Sequence, residues 1–273
     1  MEGDIGRPQL PTAWHPAALR PADWLIRLPT DRVPSAAADV SRLLAALRDG
    51  PGFAVLRGLR LDGLSDQACA ELGQEIISLA GTPRPHESAA PKDHLLARTA
   101  PAQGPSEAAL APHTDRAGPP GPPRLLALLC VRPAPTGGTS LLIGGATVHD
   151  RIAAAHPGEL PTLYGDFHFG AERDLARTGP VFAHRDDRLT VHYNRHQIER
   201  GHHAAGLPLS AAQTRALDAF DAVLADPDLF LRVPLHRGDL LLLDNTAVLH
   251  GRTAFTDHPD PLLRRCLTRS WAD

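Results

Sequence analysis

The sequence predicts an α+β, mainly β fold of the double-stranded β-helix or jelly-roll kind, with flanking helices. Short strand-like pieces recur through the second half of the chain with turn residues between them, and helical periodicity is concentrated early. At 273 residues the chain is long enough for one large β-rich domain with an ample core, so residues 1–273 are expected to form a single domain.

Residues 1–34 are proline-rich with isolated tryptophans, Trp14 and Trp24, and read as an N-terminal arm packing on the body. Ser35 is the expected N-cap of a helix carrying Val40, Leu43, Leu44 and Leu47 at helical spacing before Gly50 stops it. Gly52 to Leu56 reads as a strand, and a second helix runs from near Ser65 through Leu72, Ile76 and Leu79 to Gly81. From Thr82 to Pro112 the pattern dissolves into proline, histidine and small polar residues. Long irregular stretches of this kind are commonly lids, so 82–112 is expected to be an active-site lid. Strands are expected at Leu125 to Val131, Leu141 to Ile143, Tyr164 to Phe169, Leu189 to Tyr193, Leu229 to Val233, Leu240 to Leu243 and Arg264 to Trp271. A helix from Ser210 to about Ala225, with Ser210 and Gln213 at capping-box spacing, interrupts them.

Net charge of −3 and a pI near 6.6 give no long-range pull toward nucleic acid or anionic membrane. Arginine outnumbers lysine overwhelmingly, Lys92 standing alone, so arginine abundance by itself carries no functional weight. Cys69, Cys130 and Cys266 are an odd number at unrelated spacings, which argues against a disulfide framework or zinc site. No charged start followed by an apolar segment opens the chain, and no 18 apolar residues run together, so a soluble cytoplasmic protein is expected. Nothing in the sequence sets an oligomeric state.

The chemistry-bearing pattern is His113-Thr114-Asp115 followed far downstream by His250, Arg265 and Arg269. Two imidazoles and one carboxylate on one face of a metal leave the opposite positions open, the arrangement of non-haem Fe(II) oxygenases. His-x-Asp occurs twice more, at His184 to Asp186 and His258 to Asp260, both in polar, turn-like stretches. The first copy instead precedes a proline-rich loop, the apolar run from Leu125 and the turn Thr136-Gly137-Gly138-Thr139-Ser140. His250 follows the turn signal Gly238-Asp239, the run Leu240 to Leu243 and the break Asp244-Asn245. Arg265 and Arg269 lie four apart in an expected strand, so they share a face while Arg264 points to the other. A guanidinium facing a barrel interior is costly unless it meets an anion, and its planar fork matches a carboxylate.

These blocks, in this order, resemble the taurine dioxygenase and clavaminate synthase-like group of Fe(II)/2-oxoglutarate oxygenases. The resemblance runs from about Gly52 to Trp271. It implies that His113, Asp115 and His250 hold Fe(II), with 2-oxoglutarate and O₂ as cosubstrates. It implies Arg265 for the far carboxylate of 2-oxoglutarate, assisted from the opposite wall by a hydroxyl, Ser140 or, as the weaker candidate, Thr139. It assigns Arg269 to a small substrate or to the cosubstrate and places His86 where some relatives have a substrate-contacting histidine. Asn194, at a strand end, is a further candidate on position alone, and His202-His203 reads as a solvated pair in a glycine-flanked loop. Asp115 resembles hydroxylating rather than halogenating members. The expected activity is oxidation, by default hydroxylation, of an aliphatic C–H bond in a small carboxylate-bearing metabolite such as an amino acid or an intermediate of natural-product biosynthesis. Desaturation or ring closure is the first alternative, and a non-redox metal-dependent jelly roll the second.

Overall fold

The apolar run from Leu240 to Leu243 lies at the centre of the larger of two main sheets, where alternate leucines meet different layers. In a computed structural model, described here for residues 13–29, 37–84, 96–98, 107–115, 121–171, 176–185 and 188–273, the strands are as follows. The first half supplies β1 (Leu25–Arg27), β2 (Phe53–Arg57), β3 (Pro83–Arg84), β4 (Leu96–Arg98), β5 (Leu110–His113), β6 (Leu125–Arg132), β7 (Thr136–Gly137) and β8 (Ser140–Gly144). The second half supplies β9 (Asp166–Phe169), β10 (Arg177–Pro180), β11 (Phe182–Arg185), β12 (Arg188–Val191), β13 (Leu231–Val233), β14 (Asp239–Asp244), β15 (Val248–Arg252), β16 (Phe255–Thr256) and β17 (Cys266–Ala272).

The larger sheet has the order β1-β2-β14-β6-β17-β3, with β4 also paired to β17; the smaller is β13-β8-β15-β5. Every pairing in both is antiparallel except β1 with β2. Leu241 and Leu243 join Phe53, Val55, Leu126 and Trp271 of the larger sheet and Leu142 and Val248 of the smaller in one apolar cluster between the sheets. Leu240 and Leu242 point the other way, onto the helices Ala37–Arg48 (α2) and Asp66–Ser78 (α3), through Leu43, Leu47, Cys69, Ile76 and Ile77. An apolar run without alternation is what a strand covered on both faces requires.

The short helix Pro21–Trp24 (α1) precedes β1, so the N-terminal arm supplies an edge strand as well as packing. Trp14 from the same arm is buried, and its indole donates to the Pro51 carbonyl. The outer face of the smaller sheet is covered by Gly145–Ala155 (α4), Leu160–Leu163 (α5), Arg195–Ala205 (α6) and Ala211–Leu224 (α7), whose core holds Val148, Ile152, Ile198, Leu217 and Phe220 against Ile143 and Leu249. Ser210 and Gln213 form the expected capping box of α7, and Ser65 caps α3 through the Ala68 N–H.

Three expectations need correction. The 82–112 stretch is not wholly irregular, because it contributes β3 and β4 to the edge of β17 and β5 to the smaller sheet. Residues 85–95, His86 among them, and 99–106 lie outside the described residues. His202 and His203 sit in the last turn of α6 rather than in a solvated loop. His202 is buried, with Nδ1 against the Leu207 carbonyl at 2.8 Å and Nε2 accepting from the His168 N–H at 3.2 Å. His184 belongs to a strand, β11, and stacks on Tyr164. All three cysteines are free and buried, and among the described residues no helix is long and apolar enough to cross a membrane.

Candidate metal centre

β5 ends at His113, and β15 places His250 directly opposite it in the antiparallel register. Cross-strand neighbours on one face approach closely, and the two rings lie 4.5 Å apart between centroids. Asp115 completes the group two residues beyond the strand, with Oδ1 3.5 Å from Nε2 of His113 and 3.6 Å from Nε2 of His250. One ligand atom from each of the three lies within 4.8 Å of the others, the one such cluster among the described residues.

The surroundings fix which atoms face inward. Nδ1 of His113 bonds the Ala111 carbonyl at 2.9 Å, which puts the proton on Nδ1 and leaves the Nε2 lone pair directed at Asp115. Asp115 Oδ2 accepts from the Trp271 indole N–H at 2.9 Å, so Oδ1 is the oxygen turned to both imidazoles. The backbone is held as firmly. Asn245 accepts the Asp115 N–H at 2.7 Å and donates to the carbonyls of Asp115 and Pro123, each at 2.9 Å. Thr114 is clamped to Tyr193, its N–H donating to the Tyr193 carbonyl at 2.8 Å and its hydroxyl accepting the Tyr193 N–H at 3.0 Å.

Burial opposes ionisation of Asp115, yet the bonds from His113 and His250 and the nearby Arg269 charge hold its carboxyl well below the usual range. Burial also lowers His113, but Asp115 outweighs it and the net shift is upward; burial, then His113, lower His250. Two imidazole nitrogens and a carboxylate oxygen converging on one point repel one another unless a cation stands between them. Their donor set and inward-facing lone pairs fit a divalent iron.

β17 carries Arg269 toward this centre, and Arg265 stands just before the strand. Leu267, Arg269 and Trp271 face the space between the sheets, while Cys266, Thr268 and Ser270 face α3. The Arg269 guanidinium lies 4.9 Å over the Trp271 ring, with Nη1 3.7 Å from Asp115 Oδ2. Arg265, one residue before the strand and 9% exposed, lies 5.2 Å over the Phe255 ring. Burial lowers its pKa. Gly138, at φ 71°, passes beneath it: a Cβ there would stand 3.2 Å from Arg265 Nε. Arg264 turns elsewhere, its Nε 3.4 Å from the His258 carbonyl.

Ser140 is buried and follows the inward alternation of Leu142, whereas Thr139 is tied through its backbone to Thr253 at 3.0 Å in both directions. Asn194 is the N-cap of α6, its side chain accepting the Gln197 N–H, which gives it a structural task. Trp271, Asn245 and Tyr193 were not singled out by motif as supports of the metal group. Arg252 was also missed: it pairs opposite Ser140 and lies 4.4 Å over Phe255, on which Arg265 also rests. Burial, then Arg265, lower Arg252 to about 10.

Known proteins resemble the chain in sequence and in fold. A uridine-5'-phosphate dioxygenase of Streptomyces sp. is 32% identical over 153 residues, covering 52% of this chain and 53% of that protein. An FR-33289 synthase of Streptomyces rubellomurinus is 24% identical over 149 residues, covering 50% and 43%. The chain thus spans about half the length of these sequence relatives. Among solved structures, asparagine oxygenase in complex with Fe(II), 2S,3S-3-hydroxyasparagine and succinate superposes with a TM-score of 0.62 at 19% identity, over 91% of this chain and 93% of that one. The non-heme iron oxygenase OrfP with Fe and alpha-ketoglutaric acid gives 0.65 at 18%, over 87% and 80%. A taurine dioxygenase from Burkholderia xenovorans gives 0.63 at 16%, over 96% and 89%. The sequence model of one family matches residues 21–267, nearly the whole described body, and so the chain belongs to the taurine catabolism dioxygenase TauD, TfdA family.

Proposed function

We propose that residues 1–273 form one Fe(II)/2-oxoglutarate-dependent dioxygenase domain on a jelly-roll framework, which oxidises an aliphatic C–H bond of a small anionic metabolite, by default through hydroxylation. The observation that carries this reading is the convergence of His113, Asp115 and His250 within 4.8 Å, with Trp271 turning one Asp115 oxygen inward. When bound, iron with 2-oxoglutarate and O₂ supplies the oxidising power that no protein side chain has. The chain supplies placement. His113, Asp115 and His250 would hold the iron, and three protein ligands would leave it able to take cosubstrate and O₂ as well. Arg265, resting on Phe255 beside the Gly138 turn, receives the far carboxylate of 2-oxoglutarate, with Ser140 on the opposing strand. Arg269, within reach of Asp115, anchors the substrate's anionic group and brings one C–H bond toward the metal.

A carboxylate is the first expectation for that group, in an amino acid or natural-product intermediate. The uridine-5'-phosphate relative favours a phosphate ester as the second. Incubation with 2-oxoglutarate and Fe(II) under O₂ tests the reading. Succinate should form with iron and not with zinc. Zinc-supported turnover of a substrate without succinate would establish a non-redox enzyme instead.

A further inference from the structure

Behind the metal motif, the β11–β12 hairpin and the turn after β14 border a cavity of about 550 Å³. Four guanidinium groups line it, those of Arg124, Arg177, Arg185 and Arg188, together with His192 and Asp244. They come from separate stretches: Arg124 precedes β6, Arg177 opens β10, and Arg185 and Arg188 stand directly opposite each other in the β11–β12 register. Like charges placed across a ladder repel, and a concave low-dielectric space sharpens the repulsion.

The protein answers only part of this charge. Asp244 is the one carboxylate among the described lining residues. Its Oδ1 already accepts the Thr246 N–H at 3.0 Å and the Thr246 hydroxyl at 2.6 Å, and its Oδ2 is 3.7 Å from Arg124 Nε. Arg188 donates outward to the Arg48 carbonyl at 2.7 Å. Among the described residues, Nη1 of Arg177 and Nδ1 of His192 are buried here without a hydrogen-bond partner, the Arg177 guanidinium also lying 5.9 Å from the Phe169 ring centroid. His192 is only 4% exposed. Burial, then the Arg177 and Arg185 charges, push His192 down to about 3, so its ring is neutral and offers one N–H donor. A buried guanidinium N–H without an acceptor needs a reason, and a bound anion supplies one, which His192 would share in its Nδ1–H tautomer.

We propose that this cavity binds a phosphate dianion, free or as the terminal group of a phosphate monoester, with Arg177 and His192 as its buried donors and Arg185 and Arg188 at its rim. The excess of cations over carboxylates suits a dianion better than a monoanion, and guanidinium forks match phosphate oxygens pairwise. The site is coupled to the metal centre through the chain. His192 adjoins Tyr193, which clamps Thr114, and Asp244 and Thr246 flank Asn245, which holds Asp115. Phosphate binding does not rest on the oxygenase reading; only its assignment to a substrate does.

Calorimetric titration of the full chain, without added metal, by inorganic phosphate tests the proposal. Saturable binding should appear, weakened about tenfold or more in Arg177→Gln and in Arg185→Gln and retained in Arg265→Gln. Arg185 is exposed, so its variant keeps the test valid even where Arg177→Gln fails to fold. Uridine 5′-phosphate separates the sources. If it binds more tightly than inorganic phosphate, is displaced by it, and stimulates 2-oxoglutarate consumption in the iron-loaded protein, the site takes a substrate's phosphate; if it binds no better, the site takes the free ion. No binding in the millimolar range would overturn the proposal and assign the charge balance to the protein's own carboxylates, such as Asp166 near Arg177. Undiminished binding in both cavity variants, or loss only in Arg265→Gln, would overturn it too.

Discussion

The turn Asp244-Asn245-Thr246 separates two polar regions built on opposite principles. On one side Asn245 holds the Asp115 segment, and Ala111 steadies His113, Trp271 steadies Asp115 and Tyr193 steadies Thr114, with Nδ1 of His250 the ligand atom left buried without a hydrogen-bond partner among the described residues. On the other side Asp244 and Thr246 line a cavity whose buried Arg177 and His192 atoms have none. The difference separates two meanings of a buried polar group. A satisfied network orients ligand atoms that are already in place, whereas an unsatisfied cluster of one sign is incomplete without something from outside.

The largest expected effect lies at the satisfied wall. His113→Ala or His250→Ala should abolish turnover and strip the chain of iron, since two remaining ligands hold a labile divalent ion poorly. Metal content after dialysis checks it, and full occupancy in either variant would sink the assignment. The same change at His184, which stacks on Tyr164, or at His258, whose Nδ1 accepts the Asp260 N–H, should leave iron content unaltered.

Next comes Arg265, a buried cation whose proposed anion is the cosubstrate. Arg265→Ala should weaken 2-oxoglutarate binding by roughly 2–5 kcal/mol, the range for removing one half of a buried charge pair. Arg264→Ala should do little, because its guanidinium lies against the His258 carbonyl. The 2-oxoglutarate dependence of turnover distinguishes them. Equal losses would mean that the two arginines share a face.

Smaller again is the contribution of the hydrogen bond that turns Asp115. Trp271→Phe keeps the ring under Arg269 but removes the indole donor, and should cost about 10–100-fold in metal affinity, as loss of an outer-shell partner does. Competitive chelation reads this directly. An unchanged affinity would show that Asn245 and the backbone suffice to orient the carboxylate.

What could be read from the chain before its fold follows the same divide. His113, Asp115, His250 and the leucine run of β14 were legible because metal ligands come in fixed types and a doubly covered strand has an unbroken apolar pattern. The strand period of two applies to Arg269 and Trp271, whereas Arg265 lies before the strand, next to a register shift, where that period does not set its facing. Trp271 and Asn245 were not legible as supports, since a hydrogen bond across more than a hundred residues leaves no local trace. α4 and α6 were missed for a different reason. The first begins at Gly145 directly after β8 with no side-chain cap, and the second is so polar that its histidines read as loop. The arginine cavity was hidden by composition, because in a chain with one lysine any four arginines look alike until the fold brings them together.

The last prediction concerns that cavity and is the mildest at neutral pH. His192 is held neutral, its pKa pushed from 6.5 to about 3 by burial and then by Arg177 and Arg185. Between those two values the unfolded chain binds a proton that the folded chain refuses. Stability from this residue is therefore fully present above about pH 6.5 and is lost as pH falls toward 3, with a slope of up to about 1.4 kcal/mol per pH unit. Depressed carboxyls such as Asp115 pull the same way, so the comparison of the wild-type chain with His192→Gln isolates the histidine. Denaturant unfolding between pH 7 and pH 4 should show a shallower acid loss in the variant. Saturating sulfate, which stays a dianion throughout this range, should flatten the wild-type curve alone, because an anion beside His192 offsets the repulsion that keeps it unprotonated. If the two curves run parallel, with and without sulfate, then His192 meets the acid limb already paired, and the contrast between the two walls fails at its most buried residue.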